Sequence, residues 1–348
     1  MHEDADDDRA ERGDPPTLAD VALRAGVSIS SASRVLGGRG EVRAETRARI
    51  LRAAADVGYR RTGTRRGRPA LHEPRLIELV VGRFGNPWTR TVAEAARDRA
   101  AALGYDLALT VERADPADDW CARVVARRSS GVILGVTTPT GAERDALRDL
   151  RIPLVLLDPR AEVPAGSTSV GTTDRAGGRD AGAHLTERGA TAFLVVAGAP
   201  RFRFGRAREA GFRDAVRAAR PDLPLRRITT GWSADEVVDP AELARAVAVA
   251  AAAGGPLGVF AVTDDMAFAV YRAAAAAGLR IPDDLLVVGF DDEPRAAAAR
   301  PPLTTVRQPL AAMAARAVDL VHAARTGSPA DAHVELPTRL VVRASTGG

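Results

Sequence analysis

At 348 residues the chain exceeds one ordinary domain, and its length favours two or three. A single cysteine, Cys121, excludes an intramolecular disulfide and any multi-cysteine zinc site, and 46% hydrophobic content can build a core without such staples. All 49 basic residues are arginine, and they are unevenly spread: residues 1–16 hold two against seven acids, residues 17–69 hold twelve against four, and the rest is near neutral, the footprint of a nucleic-acid module attached to another body.

In chain order, residues 1–16 carry Glu3, Asp4, Asp6, Asp7 and Asp8, end on Pro15-Pro16, and read as a disordered acidic tail rather than a signal peptide. Three short helical patterns fill residues 17–59. Thr17 caps the first, with Asp20 three residues on as a capping box. That helix runs from Leu18 to Ala25, buries Val21 and Ala22, and ends at Gly26. The second runs from Ser28 to Leu36, with Ala32, Val35 and Leu36 facing inward. The third, from Ala44 to Val57, supplies Ile50, Leu51, Ala54 and Val57 to the core. Ile29, Ser30, Ser31, Ser33 and Arg34 remain outside on the second helix. That face suits DNA: the hydroxyls of Ser28, Ser31 and Ser33 are short enough to approach phosphates, Arg34 can bond guanine bidentately, and Ile29 can meet a thymine methyl. A dimerisation or docking bundle fits the same pattern, so the residues alone leave both readings open.

Residues 60–75, with Gly63, Gly67, Pro69 and Pro74 among arginines, read as a linker. Residues 76–348 then alternate apolar runs with amphipathic stretches. The spacing predicts strands at Leu76–Val81, Asp106–Val111, Gly131–Val136, Pro153–Leu157, Ala192–Val196, Arg226–Thr230, Leu257–Val262 and Leu285–Val288. Repeated strand–helix–strand order implies parallel sheets with helices on both faces, and two lobes fit this length better than one. Ligands of such sheets lie at the carboxyl ends of strands, which puts the pocket between the lobes.

Trp232, just after a strand, offers a flat face to a sugar, while Asp291 and Arg208 offer charge to its hydroxyls, with an inter-lobe salt bridge as their alternative. Asp158 and Gln308 join them, and Phe84, Asn86 and Trp88 line the first-lobe side. No dinucleotide-binding, phosphate-loop or nucleophile-elbow pattern occurs, and the five histidines have no metal-ligand spacing. The expectation is therefore no cofactor, no metal and no catalysis. The Ala-rich stretch Val247–Val262 is broken by Gly254, Gly255 and Pro256, so no membrane span is expected and the protein should be cytoplasmic.

The run Thr17-Leu-Ala-Asp-Val-Ala-Leu-Arg-Ala-Gly-Val-Ser-Ile-Ser-Ser-Ala-Ser-Arg-Val-Leu36, with Val42, Thr46-Arg47 and Gly58-Tyr59, closely resembles the head of the lactose-repressor (LacI/GalR) family. The resemblance continues through Asn86-Pro87-Trp88, Arg208-Glu-Ala-Gly-Phe212, Thr263-Asp264-Asp265-Met266-Ala267, Val288-Gly-Phe-Asp-Asp292, Pro301-Pro-Leu-Thr-Thr-Val-Arg-Gln308 and Leu336-Pro … Leu340-Val-Val-Arg-Ala-Ser345. It implies an all-α helix-turn-helix head on an α/β two-lobed periplasmic-binding-protein-like sensor, with lobe crossovers near 158–163, 288–292 and 323–328. The implied function is a ligand-responsive repressor, a homodimer on a pseudo-palindromic double-stranded operator, released by a small polar metabolite, most readily a sugar. A phosphorylated or nucleobase corepressor and a sensor without operator binding are the alternatives.

By resemblance Ile29, Ser30 and Arg34 read bases, while Ser28, Ser31, Ser33 and Tyr59 hold the DNA backbone, with Thr17 in the same DNA-facing set. Several positions depart from the family pattern. Ala32 stands where a larger Val is usual, Arg43 where a Ser caps the third helix, and Thr263 where an Asn often contacts ligand. After Tyr59 the family continues with Pro-Asn and a hinge helix ending in a wedging leucine; here Arg68 takes the leucine's place. Arg66-Gly67-Arg68-Pro69 resembles the core of an AT-hook, an extended arm for an A·T-rich minor groove. A flexible basic linker touching phosphates is its alternative.

Overall fold

The computed structural model describes residues 16–36, 43–59, 75–112, 119–232, 237–328 and 332–348. It divides into two compact units, residues 1–72 and 73–348. Arg66 and Arg68, and with them the choice between hinge helix and extended arm, lie outside the described residues.

The head is three helices, α1 (Leu18–Ala25), α2 (Ile29–Leu36) and α3 (Ala44–Asp56). The capping box at Thr17 is complete: Thr17 N–H donates to the Asp20 carboxylate at 2.6 Å, and Asp20 N–H returns to the Thr17 hydroxyl at 3.4 Å. Gly26 takes the left-handed conformation (φ 60°) that ends α1, where a Cβ would be strained. Ser28 stands one position before α2, and its hydroxyl accepts the Ser31 N–H, so it caps the helix instead of starting it. Arg43 gives α3 no side-chain cap. Val21, Ala22, Ala25, Ala32, Val35, Ile50, Ala53 and Ala54 form the core. Leu51 was expected in that core but is 52% exposed; Ala53 takes its place, because the inward stripe of α3 falls on 50, 53, 54 and 57.

The larger unit holds two α/β lobes. The first-lobe strands are β1 (Leu76–Val81), β2 (Asp106–Val111), β3 (Gly131–Gly135), β4 (Leu154–Leu157) and β5 (Thr168–Thr172). Its helices are α4 (Pro87–Ala102), α5 (Trp120–Arg127) and α6 (Gly141–Asp149). The second lobe follows with α7 (Asp174–Glu187), β6 (Ala192–Gly198), α8 (Arg203–Ala219), β7 (Leu225–Thr230), α9 (Pro240–Ala252), β8 (Leu257–Ala261), α10 (Asp264–Ala276), β9 (Leu285–Asp291), α11 (Pro294–Ala298) and β10 (Thr304–Arg307). The chain then gives α12 (Leu310–Thr326), β11 (His333–Leu336) and β12 (Arg339–Val341). The sheet orders are β11-β5-β4-β3-β1-β2 and β12-β10-β9-β8-β6-β7, parallel throughout except β10 against β12. Helices cover both faces of each sheet, which is what near-continuous apolar strands require.

The eight expected strands are all present, but β5, β10, β11 and β12 were not foreseen. β5 and β10 are rich in threonine and β11 and β12 are short, so none presents an apolar run. Their omission misplaced the crossovers. α12 packs Met313, Ala314, Ala317, Val318 and Val321 into the first-lobe core although β10 before it belongs to the second lobe. The chain therefore changes lobe after β5 at Thr173, between β10 and α12 at Gln308-Pro309, and between β11 and β12 at Pro337-Thr338, not near 158–163, 288–292 and 323–328.

α7 and α8 pack backbone to backbone. A Cβ at Gly178 would overlap the Arg208 carbonyl, and one at Gly211 would overlap the Arg175 carbonyl. The Arg-x-x-Gly-Phe pattern is thus a helix-contact motif that presses α8 onto α7 and fixes where Arg208 points. Cys121 is buried in the first-lobe core, and burial pushes its thiol up.

Candidate functional site

In the head, the outer face of α2 exposes Ile29 (54%), Ser30, Ser33 and Arg34, with Ser31 half-buried beside them. Ser28 Oγ lies 2.9 Å from Ser31 Oγ and 3.0 Å from Ser30 Oγ, a chain of hydroxyls along the start of the helix. Arg34 Nε donates to the Ser30 carbonyl at 3.4 Å, which aims the guanidinium along its own helix and leaves its terminal nitrogens for a ligand. Thr17 is exposed, but its side chain is committed to the capping box. Tyr59 is half-buried against the head core.

In the sensor, the loops after β1, β2, β3 and β4 face those after β6, β7, β8 and β9 across a cleft of about 910 Å³, within the usual range for small-ligand sites. All nine residues singled out from the sequence line this cleft: Phe84, Asn86, Trp88, Asp158, Arg208, Trp232, Thr263, Asp291 and Gln308. Their local roles differ. Asn86 caps α4 by accepting the Thr89 N–H at 2.7 Å, leaving its amide N–H2 for a ligand. Thr263 caps α10 by accepting the Met266 N–H. Phe84 is 66% exposed at the first-lobe rim.

Arg208 is the hub. It is 2% exposed, its Nε donates to Asp174 at 2.8 Å, and its Nη1 donates to the Val262 carbonyl at 2.9 Å and reaches Asp291 at 3.4 Å. Its guanidinium lies 3.7 Å from the centroid of the Phe290 ring. Burial works against its charge, but Asp174, Asp291 and Asp158 outweigh that and raise its pKa. Gln308 Nε2 donates to Asp291 at 2.6 Å. The Gln308 Oε1 and the Trp88 indole N–H are both buried without a hydrogen-bond partner. An unmet donor from the first lobe and an unmet acceptor after β10 of the second suit ligand hydroxyls, which can both accept and donate.

Asp158 sits in the left-handed region (φ 51°), and burial together with the Asp174 charge pushes it up to about 7 against the pull of Arg208 and Arg203. Burial likewise pushes Asp291 up to about 7, with Arg208 and the Gln308 hydrogen bond opposing. Asp264 is fully enclosed and raised by burial; it accepts from Thr305 at 2.5 Å and from the Glu293 N–H at 2.8 Å, so it braces the wall. Asp292 turns away to Arg343 and Arg307.

Trp232 does not stand alone. Its ring is pressed against Gly198 and Gly205, where no Cβ would fit, its Nε1 donates to the Ala199 carbonyl at 3.2 Å, and it meets Phe202 and Phe204 edge-on at 4.8 and 5.3 Å. The aromatic wall is therefore three rings, two of them not foreseen. Arg83, Glu112, Arg160, Arg201, Asp265, Glu293 and Arg295 also line the cleft and were missed. Each lies within a few residues past the carboxyl end of a strand, so the strand-end rule, extended over each following loop and helix start, would have found them. Among the described residues, no group of His, Cys, Asp and Glu is arranged to hold a metal ion, and no helix is long and apolar enough to cross a membrane.

The profile of bacterial regulatory proteins of the lacI family matches residues 17–62, and a periplasmic binding protein-like domain matches residues 183–346. The chain is 31% identical over 338 residues to the ribose operon repressor of Halalkalibacterium halodurans, covering 95% of this chain and 97% of that one. It is 34% identical over 343 residues to the transcriptional regulator MalR of Streptomyces coelicolor, covering 94% and 96%. Among solved structures it resembles a lac repressor dimer bound to operator and the anti-inducer ONPF, at TM-score 0.67 and 25% identity over 96% of this chain and 99% of that one. It also resembles a complex of the regulator CelR with cellobiose, at TM-score 0.65 and 26% identity over 95% and 99%.

Proposed function

The chain belongs to the lacI family of bacterial regulatory proteins and is a DNA-binding transcriptional regulator, not an enzyme; from that premise we propose that it is a cytoplasmic repressor released from its operator by a small polyhydroxylated effector, a sugar, held between the sensor lobes. The observation that carries this reading is the cleft itself, where an aromatic wall from the second lobe meets buried hydrogen-bonding groups from both lobes. Aromatic faces accept the C–H surface of a sugar, and Arg208, Asp158, Asp291 and Gln308 accept and donate to its hydroxyls. A relative named for the ribose operon and a structural neighbour in complex with cellobiose support the same class.

An effector that contacts both lobes binds the closed form more tightly and shifts the lobe equilibrium toward it. The protein acts as a homodimer, with two heads on half-sites of a pseudo-palindromic operator about one helical turn apart. Arg34, Ser30 and Ile29 read base edges, and Ser28, Ser31, Ser33 and Tyr59 hold the phosphate backbone. Because affinity for effector and operator are linked, an effector that weakens DNA binding binds the DNA complex more weakly by the same factor.

The test is selection of a binding site from a random duplex pool, followed by gel shifts with neutral sugars, phosphorylated sugars and nucleobases. Release by a sugar is expected, with Arg34→Ala losing about 1–3 kcal/mol of discrimination between selected and random duplexes. Tightening by a metabolite means corepression instead. Equal binding to selected and random duplexes at physiological ionic strength rejects the repressor reading.

A further inference from the structure

The charges around the cleft are unevenly spent. Asp265 and Glu293 hold Arg295, and Asp174 and Asp291 hold Arg208. Just outside, Glu162 and Glu335 hold Arg203, and Glu162 also holds Arg206 at 2.6 Å. Arg83, Arg160 and Arg201 line the same cleft, and among the described residues none of the three has a carboxylate partner. The acids left to face them are Glu112 and Asp158. Asp158 is only partly ionised near neutrality, since burial raises it to about 7.

Two of these arginines are held in place. Arg160 follows β4 in the first lobe and Arg201 follows β6 in the second, yet their guanidinium carbons lie 4.8 and 4.7 Å from the centroid of one ring, that of Phe202. Phe202 is itself buried (8% exposed). The two cations therefore cannot be farther apart than the sum of those distances. The Arg203 N–H donates to the Arg160 carbonyl at 2.7 Å and fastens the two segments across the lobe boundary. Two like charges, one from each lobe, are thus stacked on the same aromatic ring and repel where the lobes meet. An anion between them would remove that repulsion and add charge-assisted hydrogen bonds to both lobes.

We propose that this edge of the cleft recognises an anionic group on the effector, a phosphate or carboxylate carried by the sugar-like body, bridged between Arg160 and Arg201. This rests on reading the cleft as the effector site. The anion ties Arg160 of the first lobe to Arg201 of the second, so any lobe movement that separates them gives it a differential affinity that contributes to the response.

The probe is inorganic phosphate, titrated into the full-length protein at constant ionic strength and followed by thermal shift and tryptophan fluorescence. A saturable response at millimolar phosphate is expected, weakened at least tenfold in Arg160→Ala and in Arg201→Ala, partly kept in Arg160→Lys, and unchanged in Arg280→Ala, an exposed arginine far along the chain. Unchanged melting of the variants without phosphate shows that they fold. No saturable response, or one equal in wild type and both alanine variants, overturns the proposal. Matched pairs of neutral and phosphorylated sugars separate this claim from the one beneath it. A neutral sugar that binds equally to wild type and both variants, with its phosphorylated form no tighter, overturns the anion site and leaves the sugar reading standing. Phosphate binding that depends on the two arginines, with no sugar bound in either form, supports the anion site and overturns the sugar reading.

Discussion

Replacing Arg208 by Met tests whether the buried ion network holds the sensor together. Met preserves much of the volume and can still rest on the Phe290 ring, so the change is chiefly the loss of charge. Asp174, 4% exposed, then keeps its burial and loses its guanidinium partner at 2.8 Å, while the Val262 carbonyl loses its donor at 2.9 Å. Breaking a buried pair by removing one partner costs about 3–5 kcal/mol. For a unit of this size each kcal/mol moves the melting temperature by roughly 2–4 °C, so the ligand-free variant should melt on the order of 10 °C below wild type at pH 8. The loss should depend on pH in a defined direction. Asp158 and Asp291 stand at about 7 with Arg208 pulling them down. Without it they move higher still; at pH 5.5 both are largely protonated with or without the guanidinium and have little pairing to lose, whereas at pH 8 they lose the partner that stabilises their charge. Thermal unfolding followed by tryptophan fluorescence at the two pH values should therefore give a smaller drop at pH 5.5 than at pH 8. A drop within 2 °C of zero at pH 8, or one of equal size at both, would refute this account of the network (thresholds set by the slope of about 2–4 °C per kcal/mol).

Three further outcomes follow from the same geometry. A carboxyl whose folded pKa is raised from 3.8 to about 7 contributes fully below its unfolded value and loses that contribution as pH rises through the folded one, so the ligand-free sensor should lose stability between pH 5.5 and 8. Asp158→Asn, whose amide tolerates the left-handed backbone at φ 51°, should raise the melting temperature at pH 8 and flatten that decline; an unchanged slope would show that Asp158 does not titrate there. Gly211→Ala forces α8 off α7 and should cost about 1–3 kcal/mol or more in urea unfolding, whereas Gly171→Ala, with open space around its missing Cβ, should stay within about 0.5 kcal/mol; equal costs would count against close helix contact. Thr17→Ala removes the hydroxyl arm of the capping box, while the backbone N–H of residue 17 still reaches Asp20, and should destabilise the DNA-free head by about 1 kcal/mol, read from helix signal during thermal melting; no change would mean that the lost arm is replaced by solvent at no loss.

What could be read from the residues was local. The 3.6-residue stripe fixed the three head helices, and Thr17, Asp20 and Gly26 marked the ends of α1, because caps and apolar stripes act within a turn of helix. Short apolar runs marked eight strands, and the strand-end rule together with the family resemblance picked out nine separated residues that meet in one cleft. Where the local signal was weak, the reading stopped. β5 and β10 are held by neighbouring strands and not by an apolar run of their own, and α12 returns to the first lobe although the strand before it belongs to the second. No pattern in the chain says which lobe a segment will join, since that is decided by which sheet edge and helix face remain uncovered. The same holds for charge. The sequence placed Arg160 and Arg201 among 49 indistinguishable arginines. Only the fold, by pairing most neighbouring carboxylates with other arginines and setting both guanidinium groups on one ring, singled them out. A charge acquires a role from its partners in space, and those partners are set by packing between residues far apart along the chain.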